Sequence, residues 1–207
     1  MSSKTADYAA PASPVQLEAL AERLRERNFE VVLVQNAAEA AAAVMERLSA
    51  GVAIHSGKSK TLDDIGVTQR LMESDEFDYI RRRTAKMDRR TQGDEIRRMT
   101  ATPDIMLGSV QAVTEAGQLV TASATGSQIG PYAVGAAKLI LVIGSQKIVP
   151  NLDVALSRIN EHVFPYEDAR LREQAGMSTK LTRILITESD YRPGRTTVIL
   201  VREPVGV

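Results

Sequence analysis

At 207 residues, with 43% hydrophobic and 25% charged side chains, the chain has the length for one substantial core and the composition of an ordinary soluble globular protein. Lys plus Arg (26) balance Asp plus Glu (26), so no net charge points to nucleic acid or an anionic membrane, and any electrostatic function must be local. The absence of cysteine excludes disulfides, thiolate zinc sites, cysteine-ligated iron-sulfur clusters and cysteine nucleophiles; with only His55 and His162 a histidine-rich metal site is not expected, carboxylate sites stay open, and no metal ligand is assigned.

The start "MSSKTADYAAPASP" lacks the apolar run of a signal peptide, and no later stretch reaches the roughly 18 apolar residues that span a bilayer, so the expectation is a cytoplasmic protein. Residues 1–12 read as a flexible N-terminal tail and 13–207 as a single α/β domain. Ser13, Pro14 and Gln16 form a capping pattern, and Leu17, Leu20, Ala21 and Leu24 recur at helical spacing to about Asn28. Phe29 to Gln35 is short, β-branched and apolar, as a covered strand should be. Asn36 with Glu39 caps a second helix, whose inner face would carry Ala37, Ala41, Val44, Met45 and Leu48 and which Gly51 would end.

Val52 to Ile54 is a short strand, and Thr61 with Asp64 starts a third helix. This alternation predicts parallel strands joined by crossover helices. The arginine-rich stretch after Tyr79 reads as a loop and then a helix that Gly93 interrupts, before Pro103 to Val113 returns to the sheet. Two β-rich segments flank Gly117 as a hairpin. Thr125 to Ala136 is a glycine-rich turn with a short helix, Lys138 to Gly144 a buried strand, and Asn151 to Val163 an amphipathic helix offering Leu152, Val154, Ala155, Ile159 and Val163 to the core. "RILITES" and "TTVILVREPV" are two further strands around the turn "DYRPGR". The sum is an α/β fold with a mixed, mainly parallel sheet flanked by helices and a β-hairpin insertion.

The Gly-Lys-Ser at 57–59 is how a nucleotide-binding P-loop ends. That loop needs two glycines at a fixed spacing, and here Gly51 stands too far ahead, across a strand. What the spacing permits is a smaller anion site: a strand ends near His55, Gly57 turns the chain, and amides at the helix start point at the turn, with Lys58, Ser59 and Lys60 as further donors. The alternative is that Ser59 and Thr61 only cap the helix. Thr125, Gly126, Ser127 and Gln128 form a second turn of the same kind; if the two turns are adjacent, they can hold a phosphate or carboxylate between them. Otherwise the small residues serve backbone packing. Glu115, at the hairpin tip, is a candidate nucleophile or base if it faces the ligand. The run from Arg81 to Arg98 can contact phosphates or an acidic partner, or be a solvated face; it lacks the aromatic residues that stack on nucleic acid.

Several stretches together resemble the lactate-utilisation protein (LUD) domain family. Gly57, Ser59, Thr61, Leu62, Ile65 and Gly66 are similar to its helix-opening stretch. "DEIRRMTATPDIMLGSVQAVTEAGQLV", with Thr114, Glu115 and Gly117, resembles its basic helix, strand and hairpin. Thr125 to Gln128 resembles its Thr-Gly turn, and "KLILVIGSQKIV" and "ILVREPVG" its later strands; one departure is "GAAK" at Gly135 to Lys138. The resemblance implies a fold like that of sugar-phosphate isomerases and coenzyme A transferases (NagB/RpiA/CoA transferase-like). It also implies a non-redox role in oxidising lactate to pyruvate beside iron-sulfur oxidoreductase subunits as partners. The turn "TEAG" is similar to the one where coenzyme A transferases keep a nucleophilic glutamate. Three functions follow as expectations: an anion-binding component of the lactate system, an independent transferase- or isomerase-type enzyme using Glu115, or a docking protein for the iron-sulfur subunits.

Overall fold

The computed structural model describes residues 7–207, so residues 1–6 of the expected tail lie outside the described residues. Helix α1, Pro14–Glu26, begins with a reciprocal cap: Ser13 Oγ accepts the Gln16 N–H at 3.3 Å while Gln16 Oε1 accepts the Ser13 N–H at 3.0 Å. It buries Leu17, Leu20, Ala21 and Leu24 and stops before Asn28, whose φ of 64° is one that asparagine tolerates. Strand β1, Glu30–Val34, leads to α2, Ala37–Met45, capped by Asn36. Val44 of its expected inner face is buried with Ala40 and Ala43, and Ala37, Ala41, Met45 and Leu48 pack partly buried against the same core. The correction falls on the helix end: it stops at Met45, where the last turn tightens into Arg47-to-Val44 and Leu48-to-Met45 bonds of 3.1 Å, leaving Gly51 in the turn that follows.

After β2, Ala53–Ser56, the cap of α3, Lys60–Asp64, is Ser59, which accepts the Leu62 N–H at 3.3 Å. Thr61 is therefore not the cap but a buried residue of the first turn. Gly66, at φ 76°, separates α3 from α4, Val67–Glu73. Beyond β3, Asp78–Tyr79, the stretch expected as a loop opens with α5, Ile80–Thr84, whose Ile80 and Thr84 bury one helical turn apart. Gly93 does not interrupt the next helix. It begins α6, Gly93–Ala101, whose first-turn Asp94 and Glu95 suit the positive dipole end.

The remaining strands divide between two sheets. β4 (Ile105–Gly108), β7 (Lys138–Gly144) and β10 (Thr196–Val201) join the first three in a six-stranded sheet of order β1-β10-β7-β4-β2-β3, parallel throughout. β5 (Ala112–Thr114), β6 (Leu119–Ser123), β8 (Ile148–Val149) and β9 (Arg183–Thr187) form a second sheet of order β8-β5-β6-β9. The expected hairpin is β5–β6, antiparallel, with Gly117 at φ 88°. "RILITES" and "TTVILVREPV" supply β9 and β10, one to each sheet. The helix expected over Asn151 to Val163 is α7, Leu152–Arg158, followed by a wider π turn, Ile159–Val163, and it continues as α8, Phe164–Ala175. Pro165, which has no N–H to give to the preceding turn, stands directly after the π turn, where the regular α-helical bonding of the run is already interrupted.

Alternation along the central strands sorts the core. Ile105, Leu107, Ile140, Val142, Ile199 and Val201 face α2, α3 and α4. Met106, Leu139, Leu141, Ile143, Val198 and Leu200 face α1 and the second sheet. α7 covers the far side of that second sheet through Ala155 against Ala112 and Val120, with Ile159 of the π turn beside it.

Candidate functional site

β2, β4 and β7 are neighbours, and the chain leaves their carboxyl ends through three different segments. Open α/β sheets place ligands at such ends. Each segment sends one side chain to a common point: Thr61 from α3, Ser109 after β4, and Lys147 from the 3₁₀ turn Ser145–Lys147. Lys147 is 3% exposed, and its Nζ donates to Thr61 Oγ1 at 2.8 Å and to Ser109 Oγ at 3.0 Å. Ser109 in turn donates its hydroxyl to the Val142 carbonyl at 2.6 Å, while its N–H donates to Tyr132 Oη at 3.1 Å. Burial, reinforced by the positive charge of Arg158 and only partly opposed by Asp64, lowers the Lys147 ammonium to about 7. Gly206 closes over this cluster: a Cβ there would stand 2.1 Å from Thr61 Oγ1 and 3.0 Å from Lys147 Nζ. Neither Lys147 nor Ser109 is among the candidate site residues that the sequence suggests. The signal was present, because Lys147 is the sole charged residue between Leu139 and Pro150.

On the outer side of the same turn lies a cavity of about 430 Å³, lined by Lys58, Ser59, Lys60 and Arg81 and, from α8, by Tyr166 and Arg170, with Asp63, Glu167 and Glu173 also contributing. Lys60 pairs with Asp64, and Arg170 with Glu167 at 2.6 Å. Arg81 instead donates to the Gly57 carbonyl at 3.3 Å and lies 3.4 Å from Ser56 Oγ, which shares a 2.6 Å hydrogen bond with Tyr79 Oη. Neither Arg81 nor Lys58 has a carboxylate within 4.0 Å among the described residues. His55, 7% exposed, has its Nδ1 buried without a hydrogen-bond partner; burial, then the charge of Arg81, lowers it to about 4.

The two glycine turns do meet. A Cβ on Gly57 would stand 3.0 Å from Gln128 Oε1, and Gln128 Nε2 donates to the Ala122 carbonyl at 3.1 Å. Thr125 and Ser127 are exposed and bond each other at 3.1 Å, while Gly126 takes φ 78° against the Arg183 side chain. Glu115 stands apart: it is exposed at the β5–β6 tip, its N–H donates to the Val149 carbonyl at 2.8 Å, and its Oε1 accepts from Gln16 Nε2 at 3.1 Å. No hydrogen bond joins it to either turn among the described residues. The Arg81 to Arg98 run is also split, with Arg81 at the cavity, Arg82 on Asp75, Arg83 on Asp78 and Arg97 on Asp94. His162 packs against the Tyr8 ring, centroids 6.0 Å apart.

A six-stranded parallel sheet with helices on both faces, its strand ends meeting at a buried polar cluster beside a cavity of mixed charge, defines an α/β protein. A family model described as the LUD domain matches residues 17–201, and the chain belongs to the LUD domain family. That membership supports a role associated with lactate utilisation in general. The fold is similar to the crystal structure of a DUF162 family protein from Deinococcus radiodurans, with a TM-score of 0.54, 13% identity, and coverage of 92% of this chain and 99% of that one. No curated protein matches the chain. Among the described residues no helix is long and apolar enough to cross a membrane.

Proposed function

We propose that this chain is a non-redox component of a lactate-utilisation system that binds a small anionic ligand, a carboxylate or phosphate compound, at the carboxyl end of β2. The observation that carries the reading is the pair Lys58 and Arg81, two cations at one cavity without carboxylate partners. Ser59 lines the same cavity and adds a hydroxyl, while Gly57 and Gln128 bring the Thr125 turn alongside. An arginine with only neutral partners keeps donors and charge available to an anion, whereas an arginine already paired with a carboxylate does not. Lacking cysteine, the chain supplies no cysteine-ligated cluster, so oxidation of lactate falls to iron-sulfur oxidoreductase partners.

The test is calorimetric titration of the full chain with pyruvate, lactate and inorganic phosphate. Arg81→Met combined with Ser59→Ala is expected to weaken the ligand that binds by about tenfold or more, the size of one lost charge-assisted hydrogen bond. Unchanged affinity in the double variant removes this cavity as the ligand site.

A further inference from the structure

The anion-binding reading gives Lys147 no task, although its amine stands where three adjacent strands end. An ammonium has three protons to place. Here two hydroxyl oxygens accept, Thr61 at 2.8 Å and Ser109 at 3.0 Å, and no carboxylate pairs with it among the described residues. A neighbouring cation sharpens the contrast. Arg158 is fully buried, donates to the carbonyls of Gln111 and Tyr8, leaves Nε without a partner, and repels a proton on Lys147. Burying a charged ammonium beside a second buried cation is costly, whereas a neutral amine fits the same place and keeps a lone pair. Desolvation next to another cationic group is the environment that makes a lysine amine nucleophilic.

We propose that Lys147 is a reactive amine that forms an imine with a small carbonyl compound carrying an anionic group. This rests on the anion-binding reading for its ligand class. In the reaction the Nζ lone pair attacks the carbonyl carbon, one Nζ proton passes to the carbonyl oxygen to give a carbinolamine, and the hydroxyl takes the second Nζ proton and departs as water while the C=N bond forms. No oxidant or reductant enters. The hydroxyls of Thr61 and Ser109 hold the amine in place. What covers it is backbone without a side chain, at Gly206, tied down by its N–H on Asp64 Oδ2 at 3.0 Å and by its carbonyl, which accepts from Gln146 Nε2 at 3.2 Å. Lifting that cover breaks two hydrogen bonds and is the movement by which a carbonyl compound would reach Nζ.

The experiment incubates the full chain with sodium pyruvate and, separately, with uncharged acetone, each with cyanoborohydride, and maps the reduced adduct by peptide mass spectrometry. The expected adduct lies on Lys147 and forms at least about tenfold faster than on Lys58, Lys60, Lys138 or Lys180, because at neutral pH far more of a lysine with a depressed pKa is unprotonated. Its rate rises through a midpoint near pH 7. Lys147→Met abolishes the fast adduct, and the mapping on the unaltered chain stands whether or not that variant folds. Adducts spread over surface lysines with Lys147 unmodified overturn the proposal, as does a Lys147 rate that climbs only near the ordinary lysine range. Pyruvate binding without a Lys147 adduct overturns the amine and leaves the anion site intact. Acetone trapped at Lys147 by a chain that binds no anion upholds the amine and removes the anion site.

Discussion

His55 shows how one buried side chain couples the site to stability. Its imidazole lies on β2 with Nδ1 unpartnered, and protonation would place a second positive charge near Arg81 in a dry setting. The folded chain holds it at about 4, against 6.5 for an ordinary histidine. The unfolded chain therefore binds the proton first as the pH falls. The stability His55 contributes is present above pH 6.5 and is lost between 6.5 and 4, to the extent of roughly 3 kcal/mol. Lys147 works in the same direction at higher pH: held at about 7 in the fold, it stabilises progressively as the pH rises from 7 toward 10.5. Urea unfolding measured across this range should show a steep acid limb for the natural chain and a shallower one for His55→Phe. Identical slopes between pH 6.5 and 4 would remove His55 as the source.

The elements show where local sequence was enough. Ser13 with Gln16, and Asn36 with Glu39, mark helix starts because capping is a contact across three residues, and the structure forms both. Gly93 misled for the opposite reason: a glycine weakens a helix interior but is tolerated in the first turn, and which applies depends on where the helix begins. Gly108, at the end of β4, carries a requirement that its sequence context hides. A Cβ there would lie 1.6 Å from Tyr132 Oη, the hydroxyl that accepts the Ser109 N–H. Gly108→Ala is expected to cost about 1–3 kcal/mol by overpacking, and Tyr132→Phe, which frees space, should recover part of it in the double variant. Strict additivity in chemical denaturation would show that the two positions do not meet.

At the scale of the molecule, β10 is the last strand in sequence and lies between β1 and β7 in the parallel sheet, so the first and last strands are paired over Glu30–Val34. The parallel sheet gains β1 only through its pairing with β10. β9 is the opposite case, an edge strand of the second sheet with Ile184 and Ile186 exposed. Amide hydrogen exchange should be slowest in Leu139–Ile143 and Val198–Val201 and several-fold faster or more in β9, since local opening follows burial and free edges. Equal protection in β9 would mean that a further surface pairs with that edge.

What the sequence by itself determined here is local or cumulative. Helix caps, the apolar strand Lys138–Gly144, the hairpin at Gly117 and the α/β alternation are legible because hydrophobic period and turn chemistry act over a few residues. So, too, is the rejection of a P-loop from the spacing of Gly51 and Gly57. What only the tertiary structure decided is contact between distant positions. The cluster of Thr61, Ser109 and Lys147 joins residues up to 86 apart, and Gly206 closes it from the far end of the described chain. Gly57 meets Gln128, Arg81 leaves the basic run for the cavity, and Glu115 turns away toward Gln16. The physical reason is that strand order in a parallel sheet is set by crossover packing rather than by any short-range pattern, and strand order fixes which loops share an end of the sheet.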